Sequence, residues 1–233
     1  MTTPNFLRKE RNIDIVFCID GTGSMQHCIN SVKNNAIKFR FDFVKKMTDL
    51  NSDIDSLRVK VIVFRDYRDD GSQAMLESRF FELPQDEDEY QDYLANVQAI
   101  GGGDNPENGL EALYYAMRSE FTTGPNDRQV IVLFTDDEAL QLKEREGEGM
   151  YPDNMVDEDG LIKTWMVSGQ DSSLKLRERS KRLIMFAPSG TRYEALSNKF
   201  NRCIFQSVEM SKGLSDIDFS DILKIIAASA SSV

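Results

Sequence analysis

Three groups of oxygen-bearing side chains stand where they could bind a divalent cation. In the first, 20–24, every second residue carries a carboxylate or a hydroxyl, with glycines between them. The second is the Gly-rich segment that ends at Asp104, and the third is Asp136, after an apolar run. None of these groups contains His or Cys, and hard oxygen ligands select Mg²⁺, Mn²⁺ or Ca²⁺ over zinc or copper. The sequence therefore predicts a magnesium-type site with these candidate ligands: Asp20, Thr22, Ser24, Asp104 and Asp136.

Asp104 has a second interpretation besides that of a ligand. It directly precedes Asn105 and Pro106, and an Asp or Asn followed by Pro is a common start of a helix. If Asp104 does ligate, a third carboxylate neutralises more of the cation's charge. The cation should then bind more tightly and attract an incoming acidic group less. Both interpretations remain open at the level of the sequence.

The opening motif also permits an enzymatic interpretation. The segment 20–22 matches half of the motif of haloacid dehalogenase-type phosphoryl-transfer enzymes, whose nucleophilic Asp stands two residues earlier. Cys18 occupies that position here, and a thiol inside an apolar strand cannot form the acyl phosphate that this chemistry requires. With His27 as the single histidine, a nucleophile activated by histidine has no further candidate base. We therefore expect a binding module rather than an enzyme, with metal-assisted, phosphatase-like hydrolysis and a metal-free scaffold as alternatives.

The elements that must position these residues alternate between strands and helices. Five short runs rich in Val, Ile and Phe predict buried strands, at 15–19, 59–64, 130–134, 183–187 and 203–208. Residues 76–83 predict an edge strand. Helical periodicity extends over 25–47, follows Pro106 as far as Phe121, and returns at 222–226. This order predicts a mostly parallel sheet with helices on both faces, whose carboxyl edge would carry Asp20 and Asp136.

Composition limits the class of protein and of partner. The chain has 233 residues and is 40% hydrophobic, which suits one globular domain over 13–228, with an extension at 1–12 and a frayed tail at 229–233. Its 28 basic and 39 acidic residues give a net charge of −11, which disfavours nucleic acid and anionic membranes as partners. A polar amino terminus, scattered cysteines and the lack of a long apolar run predict a cytoplasmic protein.

One long segment, 137–173, interrupts the alternation of strands and helices. It is acidic and contains several glycines, and long loops in compact domains are usually functional or disordered. We expect a partly ordered lid that shapes partner selectivity, with a tolerated surface insertion as the alternative. Trp165 either anchors a partner or fastens the lid to the domain, and fastening is favoured. Further candidates for partner contact are Arg65, Asp66 and Asp137.

The three oxygen-bearing groups, in this order, resemble the von Willebrand factor type A (vWA) domain and its metal-ion-dependent adhesion site. Asp20, Thr22 and Ser24 correspond to the family's Asp-x-Ser-x-Ser, and Asp136 corresponds to its last Asp. Asp104 stands where the family usually has Thr. The resemblance extends from about residue 13 to about residue 226. It implies an α/β, three-layer Rossmann-like vWA fold with a mostly parallel central sheet and one antiparallel edge strand.

The resemblance also carries a functional expectation. The phrases CIDGTGSM, GGGDNPENGLEAL and FTDDEA are most similar to bacterial cytoplasmic members of the family. It implies a Mg²⁺-dependent protein–protein interaction module in a bacterial stress-response, signalling or conflict system. The implied partner is a protein, with a Ser/Thr kinase or a metal-dependent phosphatase as candidates.

Overall fold

A seven-stranded sheet forms the centre of the computed structural model, which describes residues 11–101, 106–212 and 218–232. The strands are β1 (Asn12–Asp20), β2 (Ser56–Phe64), β3 (Met75–Glu77), β4 (Phe81–Leu83), β5 (Arg128–Phe134), β6 (Lys181–Pro188) and β7 (Cys203–Val208). Their order is β3-β2-β1-β5-β6-β7, with β4 also paired to β2. All pairs among β1, β2, β5, β6 and β7 are parallel, whereas β3 and β4 run antiparallel to β2. The predicted α/β sheet with an antiparallel edge is confirmed.

The edge strand predicted over 76–83 is divided into β3 and β4 by a β-bulge. Ile62 pairs with Glu77 and Val59 pairs with Phe81, so the edge has one more residue than β2 over the same length. Ser78 lies at the interruption. Its backbone N–H donates to the Val61 carbonyl at 2.9 Å, and its hydroxyl accepts from the Val61 N–H, also at 2.9 Å.

Within the described residues, seven α-helices surround the sheet. They are α1 (Gln26–Asp49), α2 (Tyr67–Asp70), α3 (Glu87–Asn96), α4 (Gly109–Met117), α5 (Glu158–Met166), α6 (Arg192–Ser197) and α7 (Phe219–Ser231). One apolar cluster joins one face of the sheet to α1, α3 and α7, and a second joins the opposite face to α4, α5 and α6. Phe17 belongs to the first cluster and its neighbour Cys18 to the second. The central strands β1, β5 and β6 are apolar over most of their length because both faces of the sheet are covered there.

Several helix boundaries differ from the prediction. Helix α4 begins at Gly109 with Asn108 at its N-cap position, three residues later than the Pro106 start that the sequence indicated. The N-cap position of α4 thus belongs to Asn108, and Asp104, predicted as a cap or a ligand, lies outside the described residues. Residues 229–231, expected to fray, belong to α7, and Ala230 is buried. Helices α3 and α6 were not predicted, because each carries only two buried side chains.

The segment 137–173 packs against the domain through its apolar residues. Tyr151, Met155, Leu161 and Trp165 are buried in the second cluster, whereas Met150 is 65% exposed. The only helix assigned in this segment is α5, and turns form most of the remainder. Among the described residues, no helix is long and apolar enough to cross a membrane.

Candidate metal centre

The carboxyl ends of β1 and β5 bring Asp20 and Asp136 to the same edge of the sheet. Ile19 pairs with Phe134, so Asp20 and the residues after Phe134 leave the sheet side by side. The Thr22 hydroxyl donates to Asp20 Oδ1 at 2.6 Å, and the Ser24 hydroxyl donates to Asp136 Oδ1 at 2.9 Å. The two hydroxyl oxygens are 3.3 Å apart. Four of the five predicted ligands thus form one continuous chain of contacts.

A tight turn after β1 positions the two hydroxyls. The Thr22 N–H donates to Asp20 Oδ1 at 2.9 Å, and a single 3₁₀ turn over Gly23–Met25 leads into α1. From the opposite side, the Thr135 hydroxyl donates to Asp20 Oδ2 at 2.8 Å. Sequence reasoning missed Thr135, although it directly precedes a predicted ligand. Both Asp20 oxygens are therefore oriented by neighbouring hydroxyls.

The oxygen geometry fits a small, hard cation. An octahedral Mg²⁺ holds oxygens at 2.0–2.1 Å, so adjacent ligands lie about 3 Å from each other. The contacts among the Asp20, Thr22, Ser24 and Asp136 oxygens range from 2.6 to 3.3 Å. Among the described residues, no three His, Cys, Asp or Glu side chains form a metal-binding group. The two hydroxyls would therefore have to supply half of this ligand set.

Burial makes the negative charge at this edge costly. Asp20 is fully buried, and this burial raises its pKa to about 6, although hydrogen bonds from Thr22 and Thr135 lower it and the Asp136 charge raises it. Burial also raises the pKa of Asp137. A raised pKa means that the negative charge of the carboxylate is not fully stabilised by its surroundings. A bound cation would stabilise this charge.

Glu107 is a further acidic residue at this edge that sequence reasoning missed. It is 1% exposed, and neither carboxylate oxygen has a hydrogen-bond partner. Burial, followed by the charge of Asp20, raises its pKa to about 9. Its backbone is fixed by a 3.3 Å bond from its N–H to the Glu138 carbonyl and a 2.9 Å bond from the Leu140 N–H to its own carbonyl. Its only sequence signal is its place between Asp104 and α4.

The polar atoms around Glu107 are also incompletely paired. Asn108 Nδ2, Glu111 Oε2 and the Tyr193 hydroxyl are buried without a hydrogen-bond partner. Burial raises the pKa of Glu111 to about 7, although the Tyr151 hydroxyl donates to its other oxygen at 2.7 Å. Buried polar groups are normally paired in folded proteins. Among the described residues, buried polar atoms without a hydrogen-bond partner are therefore concentrated at this edge.

The residues expected to contact a partner lie mostly inside the domain. Arg65 and Asp66 are each 1% exposed, and Asp66 accepts a bidentate ion pair from Arg145. Asp137, beside Asp136, is 7% exposed. A partner could not reach the Arg65 or Asp66 side chain without rearrangement of the domain. The prediction that these two residues contact a partner is therefore wrong.

Trp165 lies away from the candidate ligands. It is fully buried, and its indole N–H donates to the Asn201 carbonyl at 2.9 Å. Its ring packs against Lys181, the first residue of β6, with the ammonium 4.7 Å from the ring centre. Asp136 follows the opposite end of the neighbouring parallel strand β5. Trp165 therefore fastens α5 to the domain, as the sequence favoured, and is not exposed as an anchor.

Comparisons with known proteins identify the fold and the family. Two structures of the pilus adhesin SpaC from Lactobacillus rhamnosus GG are similar to 96% of this chain. One crystal form gives a TM-score of 0.54 at 12% identity and the open conformation gives 0.53 at 11%; the chain spans 31% of the adhesin's length in each case. A search of curated proteins gives no match. The von Willebrand factor A domain family matches residues 14–199. This chain therefore belongs to the von Willebrand factor A domain family.

Proposed function

We propose that this domain is a divalent-cation-dependent protein–protein interaction module. The observation that carries the proposal is the continuous contact from Asp20 through Thr22 and Ser24 to Asp136 at the carboxyl edge of the sheet. Mg²⁺ is the proposed occupant in cytosol, with Mn²⁺ or Ca²⁺ as substitutes. When bound, such a cation offers a coordination position to an oxygen of the partner. Asp104, five residues before α4, is proposed as an additional ligand.

The buried and exposed parts of this site have different roles. Asp20 is buried and held by hydroxyls on both sides, so it provides charge in a fixed orientation. Ser24 and Gly23 are exposed, so a partner would approach the site over this turn. A purely acidic partner group is disfavoured, because the Asp20 and Asp136 carboxylates would already offset the positive charge of a cation.

The proposed context rests on the family resemblance and on the charge of the chain. Similarity to bacterial cytoplasmic members favours a Ser/Thr kinase or metal-dependent phosphatase partner in a stress-response or signalling system. The net charge of −11 disfavours nucleic acid and anionic membrane surfaces. A pull-down with the purified domain, with and without chelator, tests for a cation-dependent partner.

Metal-assisted hydrolysis is a second candidate, favoured by one observation. Glu107 is a buried carboxyl group with a raised pKa beside the candidate ligands, and such groups often serve in acid–base catalysis. Cation-dependent turnover of p-nitrophenyl phosphate that is lost in Asp20→Asn would favour this activity over binding alone.

The primary test is thermal melting of the chelator-treated protein with and without Mg²⁺. A ligand at 100 times its Kd adds about 2.7 kcal/mol, which raises the Tm of a domain of this size by roughly 5–10 °C. Asp20→Asn should abolish this increase. The matched control is Asp14→Asn, which removes a buried carboxylate from the opposite end of β1, where Asp14 pairs with Arg58.

The control should retain the Mg²⁺-dependent increase even if its own Tm is lower. If the wild type shows no increase with Mg²⁺ or Mn²⁺ at millimolar concentration, cation dependence is rejected and a metal-free scaffold becomes the better description. An equal loss in both variants would mean that general destabilisation, rather than a lost ligand, explains the result.

A further inference from the structure

Arg65 joins three separate segments of the chain beneath the candidate metal centre. Its guanidinium group makes four hydrogen bonds, and every acceptor is a main-chain carbonyl. Nε donates to Gly21 at 3.0 Å and to Ile100 at 3.1 Å, while Nη1 donates to Gln73 and Nη2 to Gln98, both at 2.6 Å. With 1% exposure, this side chain is an internal cross-link rather than a surface charge.

Two of the joined segments carry or lead to candidate ligands. Gly21 lies between Asp20 and Thr22, and the segment 98–100 leads directly into the Gly-rich segment that ends at Asp104. The Ile100 N–H also donates to the Gly21 carbonyl at 3.0 Å, and the Gly21 N–H donates to the Phe64 carbonyl at 2.9 Å. The turn after β1 and the 98–100 segment are therefore connected both directly and through Arg65.

The glycines at this junction are required by the packing around it. A Cβ atom at Gly21 would lie 2.7 Å from the Arg65 guanidinium carbon and 2.7 Å from Val63 Cγ1. Gly101 has a φ of +78°, and a Cβ there would overlap the Asp70 carboxylate. The guanidinium thus fits against the turn only because residue 21 has no side chain, and the backbone at residue 101 likewise requires glycine.

From this geometry, we infer that Arg65 is a positioning residue for the cation site. It fixes the turn that carries Asp20, Thr22 and Ser24 relative to the segment that leads to Asp104, and so sets cation affinity without contacting the cation. This inference rests on the proposed function. Groups that orient metal ligands typically contribute 10–100-fold in affinity.

Lysine cannot reproduce this cross-link, although it retains the charge. Four carbonyls on three segments accept from three different guanidinium nitrogens, whereas a lysine offers its donors from one nitrogen at one point. Arg65→Lys therefore separates the loss of geometry from the loss of charge.

Arg182 provides a matched control at the other end of the sheet. It is also buried, at 4% exposure, and its guanidinium group donates to main-chain carbonyls, including Ser229 at 3.1 Å and Ser232 at 2.8 Å. These bonds hold the end of α7 and not the candidate metal centre. Arg182→Lys therefore removes an equivalent internal cross-link without touching the turn after β1.

The first measurement is a Mn²⁺ titration followed by electron paramagnetic resonance, which reports the free ion. We expect Arg65→Lys to weaken Mn²⁺ binding by about 10-fold or more and to change the spectrum of the bound ion. Arg182→Lys should bind within about twofold of the wild type, since its cross-link is remote. Equal affinity in Arg65→Lys and Arg182→Lys would overturn the inference.

The second measurement is amide hydrogen exchange of the cation-free proteins, which does not depend on metal binding. Peptides that contain Gly21 and Ile100 should exchange faster in Arg65→Lys than in Arg182→Lys. If the wild type does not bind Mn²⁺, the proposed function fails, yet this exchange difference still tests the cross-link. Unchanged exchange at both segments would refute it.

If Arg65→Lys does not fold, Gly21→Ala tests the same junction with Arg65 retained. The added methyl group would displace the guanidinium, so we expect a similar loss of Mn²⁺ affinity. Normal affinity in a folded Gly21→Ala protein would also overturn the inference.

Discussion

Replacing Glu107 by glutamine should stabilise the cation-free domain. Glu107 is buried without a hydrogen-bond partner, and its pKa rises from 4.5 to about 9 on folding. A raised carboxyl pKa means that the folded state binds a proton that the unfolded state has released, so stability falls as pH increases between these values. Glutamine has almost the same shape and is always neutral. The variant therefore retains a neutral, unpaired side chain at this position. It removes the free-energy cost of protonating the carboxylate on folding.

The expected gain in the free energy of unfolding follows from the pKa shift of Glu107. A pH of 7 lies 2.5 units above the pKa of the Glu107 carboxyl group in the unfolded chain, and each unit corresponds to about 1.4 kcal/mol. Glu107→Gln should therefore gain about 3 kcal/mol at pH 7, but only about 1 kcal/mol at pH 5, where most of the cost has not yet developed. For a domain of this size, the gain at pH 7 corresponds to roughly 10 °C in Tm.

The assay is urea denaturation of chelator-treated protein between pH 5 and pH 8. The control is Glu146→Gln, whose side chain is 56% exposed and lies 3.7 Å from the Lys143 ammonium; its effect should stay below about 0.5 kcal/mol. A gain for Glu107→Gln that does not grow with pH would refute the reasoning. It would show that the Glu107 carboxylate finds compensation within the folded domain.

Three further substitutions test the packing around the site. Gly101→Ala should lose about 2 kcal/mol or more in urea denaturation, because the residue has a positive φ and its new methyl group would meet Asp70. Arg145→Leu should cost about 3–5 kcal/mol by the same assay, since it leaves Asp66 buried without its cation. Trp165→Ala should lower stability by about 3–5 kcal/mol but leave the Mg²⁺-dependent Tm increase intact.

Each of these predictions has a control or an outcome that would contradict it. Gly71 also has a positive φ, of +49°, but open space beyond its Cβ position, so Gly71→Ala should lose less than Gly101→Ala. Arg68 forms an exposed pair with Glu148, so Arg68→Leu should lower the stability far less than Arg145→Leu does. Loss of the Mg²⁺ response in Trp165→Ala would mean that α5 communicates with the carboxyl edge.

The centre of the sheet could be predicted because strands β1, β5 and β6 are buried on both faces. Alternate residues such as Phe17 and Cys18 enter opposite apolar clusters, so the strands stand out as continuous apolar runs. The positions of Asp20 and Asp136 then follow from topology, since parallel strands end at a common edge. The position of the Thr22 and Ser24 hydroxyls beside these carboxylates could be predicted because the turn after β1 is short.

The burial of charged residues could not be predicted from the sequence. Acidic and basic side chains are usually exposed, so Glu107 was not predicted as a site residue and Arg65 was expected at the surface. Their burial depends on long-range contacts, such as that of Arg65 with Gln98, 33 residues further along the chain. Helix α3 was missed for a related reason: four of its ten residues are acidic, and only Tyr90 and Leu94 are buried.

The distribution of charge at the carboxyl edge links the stability of the fold to cation binding. Asp20, Glu107 and Asp136 are almost entirely buried, while Arg65 donates its hydrogen bonds to neutral main-chain carbonyls. Burial raises the pKa values of Asp20 and Glu107, so taking up a proton stabilises both groups, and a bound cation would stabilise the Asp20 carboxylate. Protons and divalent cations should therefore compete at this edge, with protons favoured near pH 5 and cations favoured above the pKa of about 6 at Asp20. The polar groups that weaken the cation-free fold are thus the ones that would make cation binding favourable.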